Sequence, residues 1–408
     1  MVTPASPSAG VQEGISKRTP GMVRRLRSKR IQLVIKITKH CNLRCSYCYE
    51  FPYLANTNVM SLDDLTRLIE HVASYEFDDD VPSAGDDGFE FIWHGGEPLM
   101  VPIEYYERIG NVQREVFGPF GYLNVLQTNL TILTDRHLDW LRRESFIKRG
   151  GLGFSFDVYG NQRLDIHGRD TAKKVLQNLK KLHDNEIPAG AITVLSRSTK
   201  GQIENIFGFY DSLGIDFRLL PYHLETDPRQ TEENGVSADE IAVAFCKLFD
   251  LWRQSKDPVV IQPISDYLEY AVAWMNGRRD AIYDKEVDES IFVIDTNGDV
   301  LGYETYSDKH RYGNLFESSF TNILASTSRR TLISRAQERV DAYCSNCVYR
   351  GACTTYPVAE ANPIEESWLK TSGCYVAKTL AHMVNSMDEA GIGRVPAPTE
   401  SGMPADHV

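Results

Sequence analysis

The chain has 408 residues, 42% of them hydrophobic and 25% charged, with a net charge of −12. An acidic balance excludes the basic footprint of a nucleic-acid-binding protein, and no run of about 18 apolar residues is present to span a membrane. The N-terminus lacks the apolar core of a secretory signal. Eight cysteines, seven of them in two clusters, point to metal ligation in a reducing cytoplasm rather than to disulfides.

Residues 1–30 read as a flexible tail, rich in Ser, Pro and Gly and ending in the basic collar Arg24, Arg25, Arg27, Lys29 and Arg30. That is too little chain for a separate folded recognition domain. Residues 31–225 then alternate. Strand-like runs fall at 31–38, 89–94, 121–127, 151–156, 188–195 and 215–221, with helix-like runs between them. Ser61 offers an N-cap with Asp63 and Asp64 in the first turn. Six βα-like units predict a parallel sheet.

The first strand, Ile31 to Thr38, runs into Lys39-His40-Cys41-Asn42-Leu43-Arg44-Cys45-Ser46-Tyr47-Cys48. Three thiolates on one short loop can hold three irons of a cubane and leave the fourth iron open to a small molecule. Structural zinc would need a fourth ligand, and His40 adjoins Cys41, a poor position for one. A core segment would not carry Lys39, Asn42 and Arg44.

Other strand ends carry polar groups suited to a ligand. The second ends in Gly95-Gly96-Glu97-Pro98, where glycines permit close backbone approach and a carboxylate suits an ammonium group. The third ends in Thr128-Asn129. In the fourth, alternation puts Ser155 and Asp157 on one face, and Arg163-x-Asp165-x-x-Gly168 follows. The sixth leads into Tyr222-His223-Leu224-Glu225, cavity-lining candidates that no motif supports.

Residues 226–290 read as a helical bridge that begins in a polar, Pro-containing boundary at 226–236. Helices are expected near 238–255, where Cys246 has apolar neighbours, and 264–276. Thr296-Asn297-Gly298 between extended runs predicts a hairpin. Cys344, Cys347, Cys353 and Cys374 can close a four-thiolate site, for zinc or for [4Fe–4S]. Residues 389–408 read as a disordered tail.

The C-x3-C-x2-C loop with an aromatic, Tyr47, before its third cysteine resembles the radical S-adenosylmethionine (SAM) enzymes, and residues 291–388 resemble the SPASM extension of radical SAM peptide maturases. The resemblance implies an α/β fold: a partial (β/α)6 TIM-like barrel followed by a cysteine-rich Fe–S domain. It implies that Cys41, Cys45 and Cys48 hold a [4Fe–4S] cluster whose open iron binds SAM, which one electron splits to a hydrogen-abstracting 5'-deoxyadenosyl radical. Gly95, Gly96 and Glu97 then match the SAM amino-group site, Thr128 and Asn129 a ribose-side position, and Ser155 and Asp157 the family's S-x-D. Arg163 matches a partner for the SAM carboxylate, and Tyr47 joins the cofactor-binding set. The SPASM pattern usually carries cysteines where this chain has Tyr303 and Pro357. Those absent ligands belong together to a first auxiliary cluster, so one auxiliary [4Fe–4S] cluster is expected, on Cys344, Cys347, Cys353 and Cys374. Glu304 stands where a relative places an acid used as a base.

The expected function is hydrogen abstraction from a ribosomally made precursor peptide, ending in a crosslink or similar oxidation. Implied partners are that peptide, a flavodoxin- or ferredoxin-like electron donor and a separate leader-peptide recognition protein. Sulfatase-type maturation and small-molecule dehydrogenation are the alternatives. A redox-sensing Fe–S protein is the reading from another class, and a sensor has no use for Gly-Gly-Glu-Pro or Ser155-x-Asp157.

Overall fold

The alternation of strand and helix folds into a single ten-stranded sheet, in a computed structural model that describes residues 25–28, 30–77, 88–118, 121–143, 146–147, 151–222, 228–302 and 311–391. In chain order the strands are β1 (Arg30–Thr38), β2 (Gly88–Gly95), β3 (Tyr122–Thr128), β4 (Gly151–Ser155), β5 (Ala189–Leu195), β6 (Phe217–Pro221), β7 (Ile261–Gln262), β8 (Ile291–Ile294), β9 (Asp299–Gly302) and β10 (Arg311–Asn314). They lie in the order β10-β9-β8-β1-β2-β3-β4-β5-β6-β7.

The expected parallel six, β1 to β6, are present in sequence order. Two additions were not foreseen. β7 pairs parallel to β6, and β8, read from the sequence only as one arm of a hairpin, pairs parallel to β1 with Leu33 opposite Phe292. The hairpin therefore continues the barrel sheet, and its second arm and β10 close that side in antiparallel pairing. The sheet stays open, with β7 and β10 at its edges.

Eight helices cover or extend the sheet in its first two thirds: α1 (Leu62–Ala73), α2 (Ile103–Phe117), α3 (Asp135–Arg143), α4 (Ala172–Asp184), α5 (Ile203–Leu213), α6 (Pro228–Asn234), α7 (Ala238–Gln254) and α8 (Ile264–Met275). Ser61 caps α1 as its sequence predicts, accepting the Asp64 amide. The helix-facing side of β1 is apolar: Ile31, Leu33, Ile35 and Ile37 are fully buried. Under α2 and α3 the core is aromatic, with Phe91, Trp93, Tyr106, Trp140 and Phe146 in mutual contact. Lys36 and Thr38 lie on the opposite side of β1 from this core, at the end where the cysteine loop begins.

The C-terminal third adds α9 (Lys285–Asp288), α10 (Phe320–Leu324), α11 (Thr327–Cys344), α12 (Tyr356–Ala359), α13 (Pro363–Thr371) and α14 (Tyr375–Glu389). A buried ionic network knits it together. Lys285 Nζ lies 2.9 Å from Glu289 and 2.6 Å from Glu360, Arg329 Nε lies 2.7 Å from Glu289, and the hydroxyls of Tyr283 and Tyr312 donate to Glu360 and Glu289. Every charge in it is paired, the condition under which buried ions are tolerated. Among the described residues no helix is long and apolar enough to cross a membrane.

Candidate metal and cofactor site

The three N-terminal cysteines sit immediately beyond β1, at the end of a parallel sheet where chemistry is usually found. Cys41 and Cys45 are each 7% exposed, and Cys48 lies close enough to both to feel their charge. Their loop is held from every side. Arg44 N donates to Leu164 O (2.7 Å) and Ser46 N to Gln162 O (3.0 Å), so the segment after β4 runs alongside the loop. From β2, Gly96 N donates to Thr38 O and Glu97 N to His40 O, both at 2.8 Å. Asn42 donates to Thr131 (2.8 Å) and accepts from Asn129 (2.9 Å). His40, the sequence's zinc alternative, instead faces the Leu54 carbonyl at 3.3 Å.

The glycines of Gly95-Gly96-Glu97-Pro98 are required by the protein's own backbone. A Cβ on Gly96 would stand 2.2 Å from His40 O and 2.5 Å from Lys39 O, and one on Gly95, at φ +124°, 2.1 Å from Thr38 O. Gly96→Ala is therefore expected to displace the cysteine loop and strip iron from it, read as iron per chain after anaerobic reconstitution. Gly190→Ala, whose Cβ would meet nothing nearer than 3.8 Å, should leave iron content unchanged.

Glu97 is fully buried and its carboxylate is already engaged. Oε1 accepts from Leu99 N (2.8 Å) and Thr128 Oγ1 (2.7 Å), and Oε2 from Asn129 N (2.7 Å). Burial pushes this carboxyl up, against those hydrogen bonds. It fastens the end of β2 to the end of β3. Asn129 also turns inward: its Nδ2 lies 3.7 Å from Cys41 Sγ, as a donor to the thiol. His94 accepts the Gly95 amide at 2.7 Å and is held neutral by burial and by Lys36, its pKa pushed down to about 4.

Tyr47, Asp157 and Arg163 form one unit. The Tyr47 hydroxyl donates to Asp157 Oδ2 and accepts from Arg163 Nη1, both at 2.5 Å. Asp157 Oδ1 takes Val194 N (2.7 Å) and Thr193 Oγ1 (3.1 Å), so Asp157 is spent on positioning. Arg163 is 8% exposed and its Nε has no partner among the described residues, a buried cationic edge suited to a carboxylate. Ser155 accepts from Gln127 Nε2 at 3.0 Å and keeps its own proton to donate. Asp165 is used in its turn, accepting from His167 N and Arg169 N.

Lys36, unremarked in the sequence, anchors the far end of the loop. Its ammonium is ion-paired with Glu50, and the two side chains are 2% and 6% exposed. The Glu50 amide in turn faces the Cys48 sulfur. Removing one partner of a buried pair costs about 3–5 kcal/mol, whereas removing both can be near neutral. Lys36→Met should lower stability by about that amount in urea unfolding of the iron-loaded protein, and Lys36→Met with Glu50→Leu should recover most of it.

The tail cysteines also come together, although they span α11 to α14. Cys353 lies within electrostatic reach of Cys344, Cys347 and Cys374. The Thr355 amide faces the Cys353 sulfur, and the amides of Val376 and Ala377 face that of Cys374, which occupies the N-cap of α14. Burial pushes the thiols up in both sites, Cys41 to about 11 and Cys48, Cys344 and Cys353 to about 12. Bound metal is what removes such protons. Among the described residues no three His, Cys, Asp or Glu converge tightly enough for a single ion. Thiols that each serve a different iron of a cubane do not need to. The three loop thiols have the donor chemistry of a thiolate-held cluster, and beside them Arg163, paired with Asp157 at 3.7 Å, keeps a buried Nε without a partner among the described residues.

Glu304, with Tyr303, lies outside the described residues, as do His223 to Glu225. Tyr222 is buried against β5. Cys246 is half-buried beside Thr379 of α14. The largest omission of the sequence reading is Asn234. The stretch 226–236, expected as a boundary, contains α6, from which Asn234 exchanges hydrogen bonds with Ser46 (3.1 and 3.3 Å) and Gln230 reaches Cys48 O (3.3 Å). A cavity of about 900 Å³ lined by Leu152, Leu176, His183, Pro188, Phe209 and Ile215 opens at the opposite, N-terminal end of β4 to β6, away from these residues.

Residues 35–210 match the Radical SAM superfamily. The chain is 24% identical to the cysteine-type anaerobic sulfatase-maturating enzyme of Clostridium novyi over 342 residues, covering 80% of this chain and 87% of that one. Among solved structures it is similar to anSMEcpe with bound AdoMet and Cp18Cys peptide, with a TM-score of 0.64, 16% identity and 88% and 97% of the two chains covered. It is also similar to Streptococcus suis SuiB bound to precursor peptide SuiA, with a TM-score of 0.50, 15% identity and 72% and 64% coverage.

Proposed function

We propose, for a chain whose residues 35–210 form a radical SAM domain, that it oxidises a side chain of a ribosomally made precursor peptide and leaves a crosslink or a related two-electron oxidation. The observation that carries the reading is the convergence of the buried three-cysteine loop with the Gly95-Gly96 turn and the unpartnered Nε of Arg163. The likeness to two proteins solved with peptides bound supports a peptide or protein substrate.

In this reading Cys41, Cys45 and Cys48 hold a [4Fe–4S] cluster with one open iron. When bound, that cluster and SAM supply the 5'-deoxyadenosyl radical. The protein's part is to bind and orient. The carbonyls of Gly95 and Gly96 receive the SAM ammonium, and Glu97 holds their turn against Thr128 and Asn129. Arg163 would offer its buried, unpartnered Nε to the SAM carboxylate, with Tyr47 and Asp157 fixing the guanidinium. Ser155 donates its proton toward the ribose or carboxylate. Cys344, Cys347, Cys353 and Cys374 hold one auxiliary [4Fe–4S] cluster, and a flavodoxin- or ferredoxin-like protein delivers the electron.

A second reading, maturation of a sulfatase Ser or Cys, is favoured by the 24% identical relative. One experiment separates them. Reconstituted protein, dithionite and SAM are given either a short peptide encoded beside the gene or a sulfatase-derived peptide. The proposal expects 5'-deoxyadenosine with either. Only the precursor peptide should lose two hydrogens, and its product should not react with a carbonyl-trapping hydrazide. A hydrazide-reactive product from the sulfatase peptide would establish the second reading.

A further inference from the structure

We propose that the Thr355 hydroxyl donates a hydrogen bond to the cluster held by Cys344, Cys347, Cys353 and Cys374 and raises its reduction potential. This rests on the reading of that site as a [4Fe–4S] cluster. Thr355 is 2% exposed. It has φ +69° and ψ −3°, a left-handed conformation that a β-branched residue rarely adopts.

The backbone geometry has a use. It turns the Thr355 amide to the Cys353 sulfur, and the carbonyl accepts from Val358 N and Ala359 N, each at 3.0 Å. Thr355 is also the N-cap of α12, yet its side chain caps nothing. Among the described residues its buried Oγ1 has no hydrogen-bond partner. The neighbouring Thr354 shows the contrast, with its hydroxyl 3.1 Å from that of Tyr270.

A buried hydroxyl left unpaired is costly, and a β-branched residue in a left-handed conformation adds to that cost. Both fall on one residue two positions from a cysteine of the site. Glycine or asparagine would take the same backbone with less strain, so what a threonine adds here is a methyl and a hydroxyl, and the hydroxyl is the group left unpaired. Among the described residues no cysteine sulfur is in hydrogen-bonding position to this Oγ1, so the acceptor the proposal assigns is an inorganic sulfide of the cluster bound at Cys353, two residues away. A donor to sulfur stabilises the more negative, reduced cluster, so it raises the potential.

The test uses the full-length chain with Cys41, Cys45 and Cys48 replaced by Ala, which leaves the tail cluster alone in the spectrum. Redox titration monitored by paramagnetic resonance is run on this protein with Thr355, Thr355→Val and Thr355→Ser. The proposal expects about four irons in each, a lower midpoint potential for Val, and a potential near the parent's for Ser. An unshifted potential in an iron-replete Val variant overturns it. Should Val not hold iron, Ser decides. Iron kept by Ser shows that the hydroxyl supports the cluster, and iron lost from Ser as well shows that the methyl's packing is what counts, which also overturns the proposal. Zinc, or no iron, in the parent overturns the cluster reading itself, a failure distinct from the others.

Discussion

Replacing Cys41, Cys45 or Cys48 by Ala is expected to abolish 5'-deoxyadenosine formation, each substitution alone sufficing. A three-thiolate site has no spare ligand, and the surroundings offer no substitute. Glu97 lies near Cys41, but Leu99 N, Thr128 and Asn129 already occupy its oxygens. The fold should survive, because the loop is held by backbone hydrogen bonds to Gln162, Leu164, Gly96 and Glu97 that do not involve sulfur. The variants should therefore keep a wild-type circular dichroism spectrum and about four irons in the tail, against about eight in wild type. SAM cleavage persisting in all three would sink the assignment of the site.

The same loop shows what a sequence can and cannot tell. The β-branched run 31–38 and the spacing of three cysteines are local, and local pattern places them correctly at a strand end. Lys36 keeps the alternation of β1, on the side away from the helices, but its reason is Glu50, and nothing in the run says that this glutamate returns beneath the strand. The two glycines looked suited to ligand approach, whereas their Cβ positions are filled by the backbone of residues 38–40. Asn234 is 188 residues from Ser46, and a polar stretch between βα units carries no sign that it buttresses a loop so far away. β8 was legible as a strand but not as a neighbour of β1, because register between distant parallel strands has no local signal. In each case the residue type was readable and its partner was not, since the partner is fixed by closure of the sheet.

Cys374→Asn is expected to leave SAM cleavage near wild type and to remove most of the peptide product. Cys374 is a thiol of the tail site and stands at the N-cap position of α14, where its side chain makes no capping hydrogen bond although the amides of Val376 and Ala377 face its sulfur. Ala removes the thiolate and leaves those two amides without a side-chain acceptor. Asn also removes the thiolate but brings a side-chain oxygen able to cap the helix, worth about 1 kcal/mol, so the pair of variants separates the helix end from the metal. α14 packs on α7 and α8, whereas the Cys41–Cys48 loop is held by residues after β2, β3 and β4 and by α6, so the SAM site should not sense the change. A substrate carbon that has lost a hydrogen atom must lose one further electron to finish a crosslinking oxidation, and a cluster capped by four thiolates suits that transfer. Product should therefore fall while 5'-deoxyadenosine continues to form. Full product from a folded Cys374→Asn chain shown to lack tail iron would leave that site with a structural role alone. Loss of both products with an unfolded spectrum in Ala, but not in Asn, would locate the defect in the cap of α14.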